Sequence, residues 1–149
     1  MKPGRRIGFD FGDVRIGVAC SDQSGVLASP LEFLVNGEGN LEAKISELFA
    51  QFEPLYIAIG FPIHLSGKES EKSKSVTKFA ELISTLTKAP IYLIDERMTT
   101  VSASRILREA GHNSKSARSE IDSAAAAAIL DSALNQERLQ GEPMNRFTP

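Results

Sequence analysis

Cysteine occurs once in this 149-residue chain, at position 20. No internal disulfide framework can form from it, and a reducing, cytoplasmic setting is the expectation. Histidine occurs twice, at His64 and His112. Neither has a second ligand at useful spacing, which argues against a zinc site. No apolar run is long enough to span a bilayer and no signal-peptide pattern is present, so no membrane partner is expected. Positive charge is not in excess: 17 Lys and Arg stand against 19 Asp and Glu, a formal net charge of −2. Binding of nucleic acid through overall basicity is therefore disfavoured, and any such contact needs a local basic patch. The letters Asp10-Phe11-Gly12 occur in kinases, but no glycine-rich loop or catalytic-loop signature accompanies them and the chain is far too short. No internal repeat and no domain boundary is visible.

What is present suffices for a real core. Hydrophobic residues make up 42% of the chain and charged residues 24%, which is ordinary for a globular domain of this length. Apolar patterning predicts strands over Ile7–Phe11 and Arg15–Ser21, joined by a tight turn at Gly12-Asp13, and a third over Val26–Val35. Residues Leu41–Phe52 carry helical spacing and stop at Pro54. Leu55–Ile59 and Pro90–Ile94 read as short buried strands. Ser73–Thr87, Thr99–Ala110 and Ser119–Leu139 read as helices. Gly60–Ser70 and Gly111–Ser119 read as loops, and residues 140–149 as a disordered tail. The order βββαβαβαα implies a mixed α/β sheet of five strands, an antiparallel meander joined to parallel strands. Cys20, in an apolar strand, reads as a small core residue.

Against that frame, three acids stand out. Asp10 lies at the end of the first strand between Phe9 and Phe11, and a charge in apolar surroundings is costly unless paired or metal-bound. Asp95 and Glu96 follow the Ile91 strand directly, at the edge where parallel sheets place their ligand sites. Asp122 lies in the first turn of the last predicted helix. At about 100° per residue it shares the side of Ala125, Ala126 and Ile129, while the run Ala124–Ala128 lets that helix approach the sheet closely. Each acid alone has a plain structural explanation: a turn residue, a strand-end ion pair, a helix-start anion. Together, three acids from three elements would repel unless neutralised, which suits a divalent cation such as Mg²⁺. Two such ions are a known arrangement for phosphodiester cleavage.

Four blocks then match in order. They are Asp10-Phe-Gly-Asp-Val-Arg-Ile-Gly-Val-Ala19, Ile59-Gly-Phe-Pro62 with Gly67, Asp95-Glu-Arg-Met-Thr-Thr-Val101 with Ala103, and Ile121-Asp-Ser-Ala-Ala125 leading to Ile129-Leu130. Over about residues 5 to 135 the chain resembles the YqgF/RuvX family of pre-16S rRNA nucleases and Holliday-junction-resolvase-like proteins. The resemblance implies an RNase H-like domain over residues 1–139 and a phosphodiester hydrolase acting in ribosome biogenesis. It implies Mg²⁺ or Mn²⁺ held by the catalytic acids Asp10, Glu96 and Asp122, and pre-16S rRNA as partner of a monomer or homodimer. The alternatives are a junction-DNA nuclease and a non-catalytic rRNA-binding assembly factor. Many relatives carry Thr-Lys after the first glycine, where this chain has Asp13-Val14. Candidate phosphate contacts are Arg15, Arg97, and the lysines Lys68, Lys72 and Lys74 in or just after the long loop. A basic cluster is formed by Arg105, Arg108, Lys115 and Arg118.

Overall fold

The computed structural model describes residues 1–62, 70–98 and 123–149. The strands are β1 (Ile7–Phe11), β2 (Arg15–Ser21), β3 (Ala28–Val35), β4 (Ile57–Phe61), β5 (Ile91–Asp95) and β6 (Arg146–Phe147). The described helices are α1 (Leu41–Phe52), α2 (Glu71–Leu86) and α3 (Ala124–Gln140), with a 3₁₀ turn at Glu96–Met98. The sheet order is β3-β2-β1-β4-β5-β6. β1, β2 and β3 form the antiparallel meander, and β1, β4 and β5 run parallel. The expected helix over Thr99–Ala110 and the loops at Gly111–Ser119 and 63–69 lie outside the described residues. None of the described helices is long and apolar enough to cross a membrane.

Among the described residues the sheet has six strands rather than the expected five, because the tail contributes one. Instead of being disordered, residues Arg146 and Phe147 pair antiparallel with Tyr92 and Ile91. The Leu93 amide donates to the Asn145 carbonyl at 2.9 Å, the Tyr92 hydroxyl to Glu142 at 3.0 Å, and the Met144 amide to the Gln136 side chain at 2.8 Å. The physical reason is the open edge of β5, whose backbone groups need partners. A two-residue strand is too short to show as alternation in a sequence. α2 begins at Glu71, two residues before the expected start. Ser70 and Ser73 form a reciprocal cap in which each hydroxyl accepts the other's backbone N–H, a serine version of the capping box.

Both faces of the sheet are covered, and they are packed differently. On one face Ile7, Phe9, Val18, Ile57 and Ile59 meet α1 and α2 through Ile45, Phe49, Val76, Phe79 and Ile83. Phe9 stands edge-on to Phe79, with centroids 5.4 Å apart. On the other face Ala19, Ala58, Tyr92 and Ile94 meet the small and aliphatic side of α3: Ala126, Ile129, Leu130, Ala133 and Leu134. The alanine run does bring this helix close. A Cβ added at Gly8 would sit 2.8 Å from Leu130 Cβ and 3.0 Å from the Ala126 carbonyl oxygen. Neither is the free end of a flexible side chain. Gly8→Ala is therefore expected to lift α3 off β1 and cost about 1–3 kcal/mol, the usual range for overpacking. Urea unfolding would measure this, and an unchanged midpoint would mean that the contact can relax.

Candidate active site

Strand direction decides where the acids fall. Because β1, β4 and β5 are parallel, Asp10 and Glu96 emerge at the same C-terminal edge. Side chains alternate along a strand, so Asp10 shares the face of Gly8, which is the α3 face. The register pairs Phe9 with Ile59 and Gly60 with Ile94. β4 thus lies between the strands that carry the two acids; its Gly60 follows Ile59, the partner of Phe9, and pairs with Ile94, two residues before Glu96. Two strand spacings, roughly 9–10 Å, would otherwise be filled by the side chain of the middle strand. A Cβ at position 60 would collide with Ile129 Cδ1 and come within 3.2 Å of Glu96 Oε1. Gly60 therefore leaves room for the Glu96 carboxylate, which lies near enough to Asp10 to feel its charge. Glycine inside a buried strand often marks such a close approach, and that signal was available in the sequence.

The two carboxylates share one electrostatic environment. Burial raises the Asp10 carboxyl above its ordinary value, and the Lys72 ammonium opposes that rise. Burial also raises Glu96; Lys72 again lowers it, while the charges of Asp10 and Asp95 raise it further. Both carboxyls are thus half-buried, and the Asp10 charge disfavours that of Glu96, a donor set that fits a hard divalent cation. Among the described residues no three of His, Cys, Asp and Glu converge as a complete cage. Asp122 lies outside the described residues.

Its neighbour Ser123 is described and is informative. Ser123 is buried, and its hydroxyl accepts the Val18 amide at 3.2 Å. The β2–β3 ladder is irregular between Ile16 and Val18, at the same place as this bond. Val18 lies opposite Phe9, and Gly17 opposite Asp10. The start of α3 is therefore pinned to β2 within one residue of the position facing Asp10. The turn between β1 and β2 is braced as well. Asn36 donates from its side chain to the Gly12 carbonyl at 2.8 Å, and a Cβ at Gly12 would collide with the Arg15 carbonyl oxygen. Neither Ser123 nor Asn36 stood out in the sequence, since each acts through a backbone partner distant in the chain.

The predicted substrate cations divide into two groups. Lys68, Arg105, Arg108, Lys115 and Arg118 lie outside the described residues. Arg15, Lys72, Lys74 and Arg97 are described, and Arg15 and Arg97 are each engaged by a side chain. The Arg15 guanidinium stacks over Phe33, 5.0 Å from the ring centroid. Arg97 clasps Asp95: its Nη2 donates to Oδ2 at 2.8 Å, its Nε to both oxygens at 3.1 Å, and its backbone amide to Oδ1 at 2.9 Å. These bonds hold the Asp95 carboxyl below its ordinary value. Asp95 thus serves as partner to Arg97, while Glu96 takes the place beside Asp10.

Residues 4–136 match the model of the RuvX family, described as Holliday junction resolvase. A Streptomyces coelicolor protein named "Putative pre-16S rRNA nuclease" is 43% identical over 145 residues, covering 96% of this chain and 87% of its own length. A Nocardioides protein of the same name is 44% identical over 147 residues, covering 95% and 94%. Among solved structures, Thermus thermophilus RuvC in complex with a Holliday junction substrate superposes with a TM-score of 0.61. It is 16% identical, with 94% of this chain and 98% of that one covered. The fowlpox virus Holliday junction resolvase gives 0.51 at 10% identity, covering 91% and 99%. At such identities the likeness is one of fold, and the fold is RNase H-like.

Proposed function

The chain belongs to the RuvX family, and from that premise we propose that it is a divalent-metal-dependent endonuclease that processes the 5′ end of pre-16S rRNA. The nuclease class follows from the family and its named relatives. The observation that carries the metal-dependent reading is the placing of Asp10 and Glu96 at one edge of the sheet, close enough for the Asp10 charge to act on Glu96, with both carboxyls raised by burial. Asp10, Glu96 and Asp122 are the proposed ligands, with Mg²⁺ or Mn²⁺ as the ion. The ion would neutralise the acids, activate water and stabilise the leaving oxygen. Asp10, on a braced hairpin, sets a fixed anchor. Ser123 holds the start of α3 against β2. Arg15 and Arg97, the latter aligned by Asp95, together with Lys68, Arg105, Arg108, Lys115 and Arg118, supply the proposed phosphate contacts, which position the substrate.

RNA is preferred over branched DNA because relatives above 40% identity over nearly the whole chain carry the rRNA name. The family description favours the junction as the second reading. The discriminating experiment offers a 5′-extended 16S precursor and a four-way DNA junction to the same pure protein, with Mg²⁺ and with Mn²⁺. Cleavage of the precursor with the junction left intact is the expected result. Preferential cutting of the junction would reverse the assignment, and binding of the precursor without cleavage under every metal and pH would favour an assembly factor.

A further inference from the structure

Lys72 occupies an unfavourable position by local rules. It is the second residue of α2, whose cap is Ser70, and the first turn of a helix favours anions over cations. A sequence choice that goes against local preference is expected where tertiary function outweighs it. Two further observations converge on this residue. Lys72 lines a groove of about 290 Å³ with Phe11, Gly12, Asp13, Glu71 and Ser75, and that groove opens directly beyond Asp10 in the chain. Its positive charge also acts on both Asp10 and Glu96. Of the described residues lining the groove it is the one cation, set against Asp13 and Glu71. Without it the described lining would carry only negative charge, which disfavours a phosphate.

We propose that Lys72 is a cation shared between two tasks: it balances Asp10 and Glu96 while no metal is bound, and it takes a substrate phosphate in the adjoining groove once a metal neutralises them. The proposal rests on the metal-dependent nuclease reading and adds a substrate-positioning residue to it. The two tasks carry opposite signs, which gives the proposal a signature that a merely structural lysine lacks. Removing the ammonium takes away a charge that competes with the metal. It also takes away a contact to the nucleic acid.

The test compares wild type, Lys72→Ala and Lys72→Arg, using Mn²⁺ titration calorimetry without nucleic acid and binding of a 5′-extended 16S precursor over a range of salt. Lys72 is exposed, so both variants should fold, and matching melting curves in chelator would establish this. In Lys72→Ala, Mn²⁺ should bind about 3- to 10-fold more tightly, the scale of one charge acting on a divalent ion several ångströms away through solvent-like dielectric. Binding of the precursor should weaken, and the slope of log K against log salt should fall by about 0.7, the value for one single-strand phosphate contact. Lys72→Arg should restore the salt slope. If wild type binds Mn²⁺ and cleaves but Lys72→Ala changes neither the metal affinity nor the salt slope, the assignment of Lys72 fails and the nuclease reading stands. If wild type neither binds Mn²⁺ nor cleaves, the metal-dependent reading fails and takes this proposal with it.

Discussion

Asp10→Asn is expected to lose metal-dependent cleavage by at least about 100-fold, since even residues that only orient a metal ligand cost 10- to 100-fold when changed. The same substitution is expected to stabilise the metal-free protein at neutral pH. Both effects have one cause. Asp10 is held half-buried beside Glu96, and burial raises its carboxyl above the ordinary value of 3.8. The folded state therefore binds this proton more firmly than the unfolded state does. Stability of the metal-free wild type should fall as pH rises from 3.8 through the higher folded value, and should stay lower above it. Asparagine removes the charge and the repulsion with Glu96 at a similar volume, so the variant should melt higher in chelator and lose that part of the pH dependence. Added Mn²⁺ should raise the melting temperature of wild type and leave the variant nearly unchanged. Full cleavage by purified Asp10→Asn, or an equal Mn²⁺ response in the two proteins, would overturn the role given to Asp10. A gain in stability on loss of function is the expected sign of a site that is strained for activity.

Much of this arrangement was legible in the chain. The hairpin around Asp10, the helical spacing of Leu41–Phe52 and the apolar strand before Asp95 are periodic signals, and periodicity is what a sequence displays most directly. The closeness of α3 could be read from its alanine run. The small backbone devices could not be read in the same way. The reciprocal Ser70–Ser73 cap uses a serine where a longer acceptor is usual. Ser123 acts on a backbone amide 105 residues away. β6 is two residues long and exists because β5 offers an edge. Glu137 is a different case, because its signal was present: it lies seven residues after Leu130 and three after Leu134, on the apolar side of α3. An acid at such a position calls for a buried partner. That partner, Arg6, is 131 residues away at the other end of the chain.

Breaking that pair is expected to produce the largest loss of stability in the protein. Arg6 is fully buried, and its Nη2 donates to Glu137 Oε2 at 2.7 Å. The Tyr56 hydroxyl donates to the other Glu137 oxygen at 3.0 Å, and the Arg6 guanidinium lies 5.9 Å from the Tyr56 ring centroid. The carbonyls of Lys2 and Gly4 take further Arg6 protons, while Arg6 Nε is buried with no hydrogen-bond partner among the described residues. The network joins the N-terminal end of β1, the entry to β4 and the last turns of α3. It therefore closes the sheet at the end opposite Asp10 and Glu96. Glu137→Ala would leave a buried guanidinium with neutral acceptors only and Tyr56 without its acceptor. The expected cost is about 3–5 kcal/mol, a fall in melting temperature on the order of 10 °C for a chain of this length. Replacing both partners, Arg6→Met with Glu137→Leu, should recover most of that loss, because the attraction of a buried pair is largely offset by the desolvation of its two charges. Because the network is remote from the acids, the metal-induced rise in melting temperature should persist in the double variant. A Glu137→Ala protein within about 1 kcal/mol of wild type in chelator, a cost no larger than that of an exposed pair, would show that the pair is hydrated and does not lock this end of the fold.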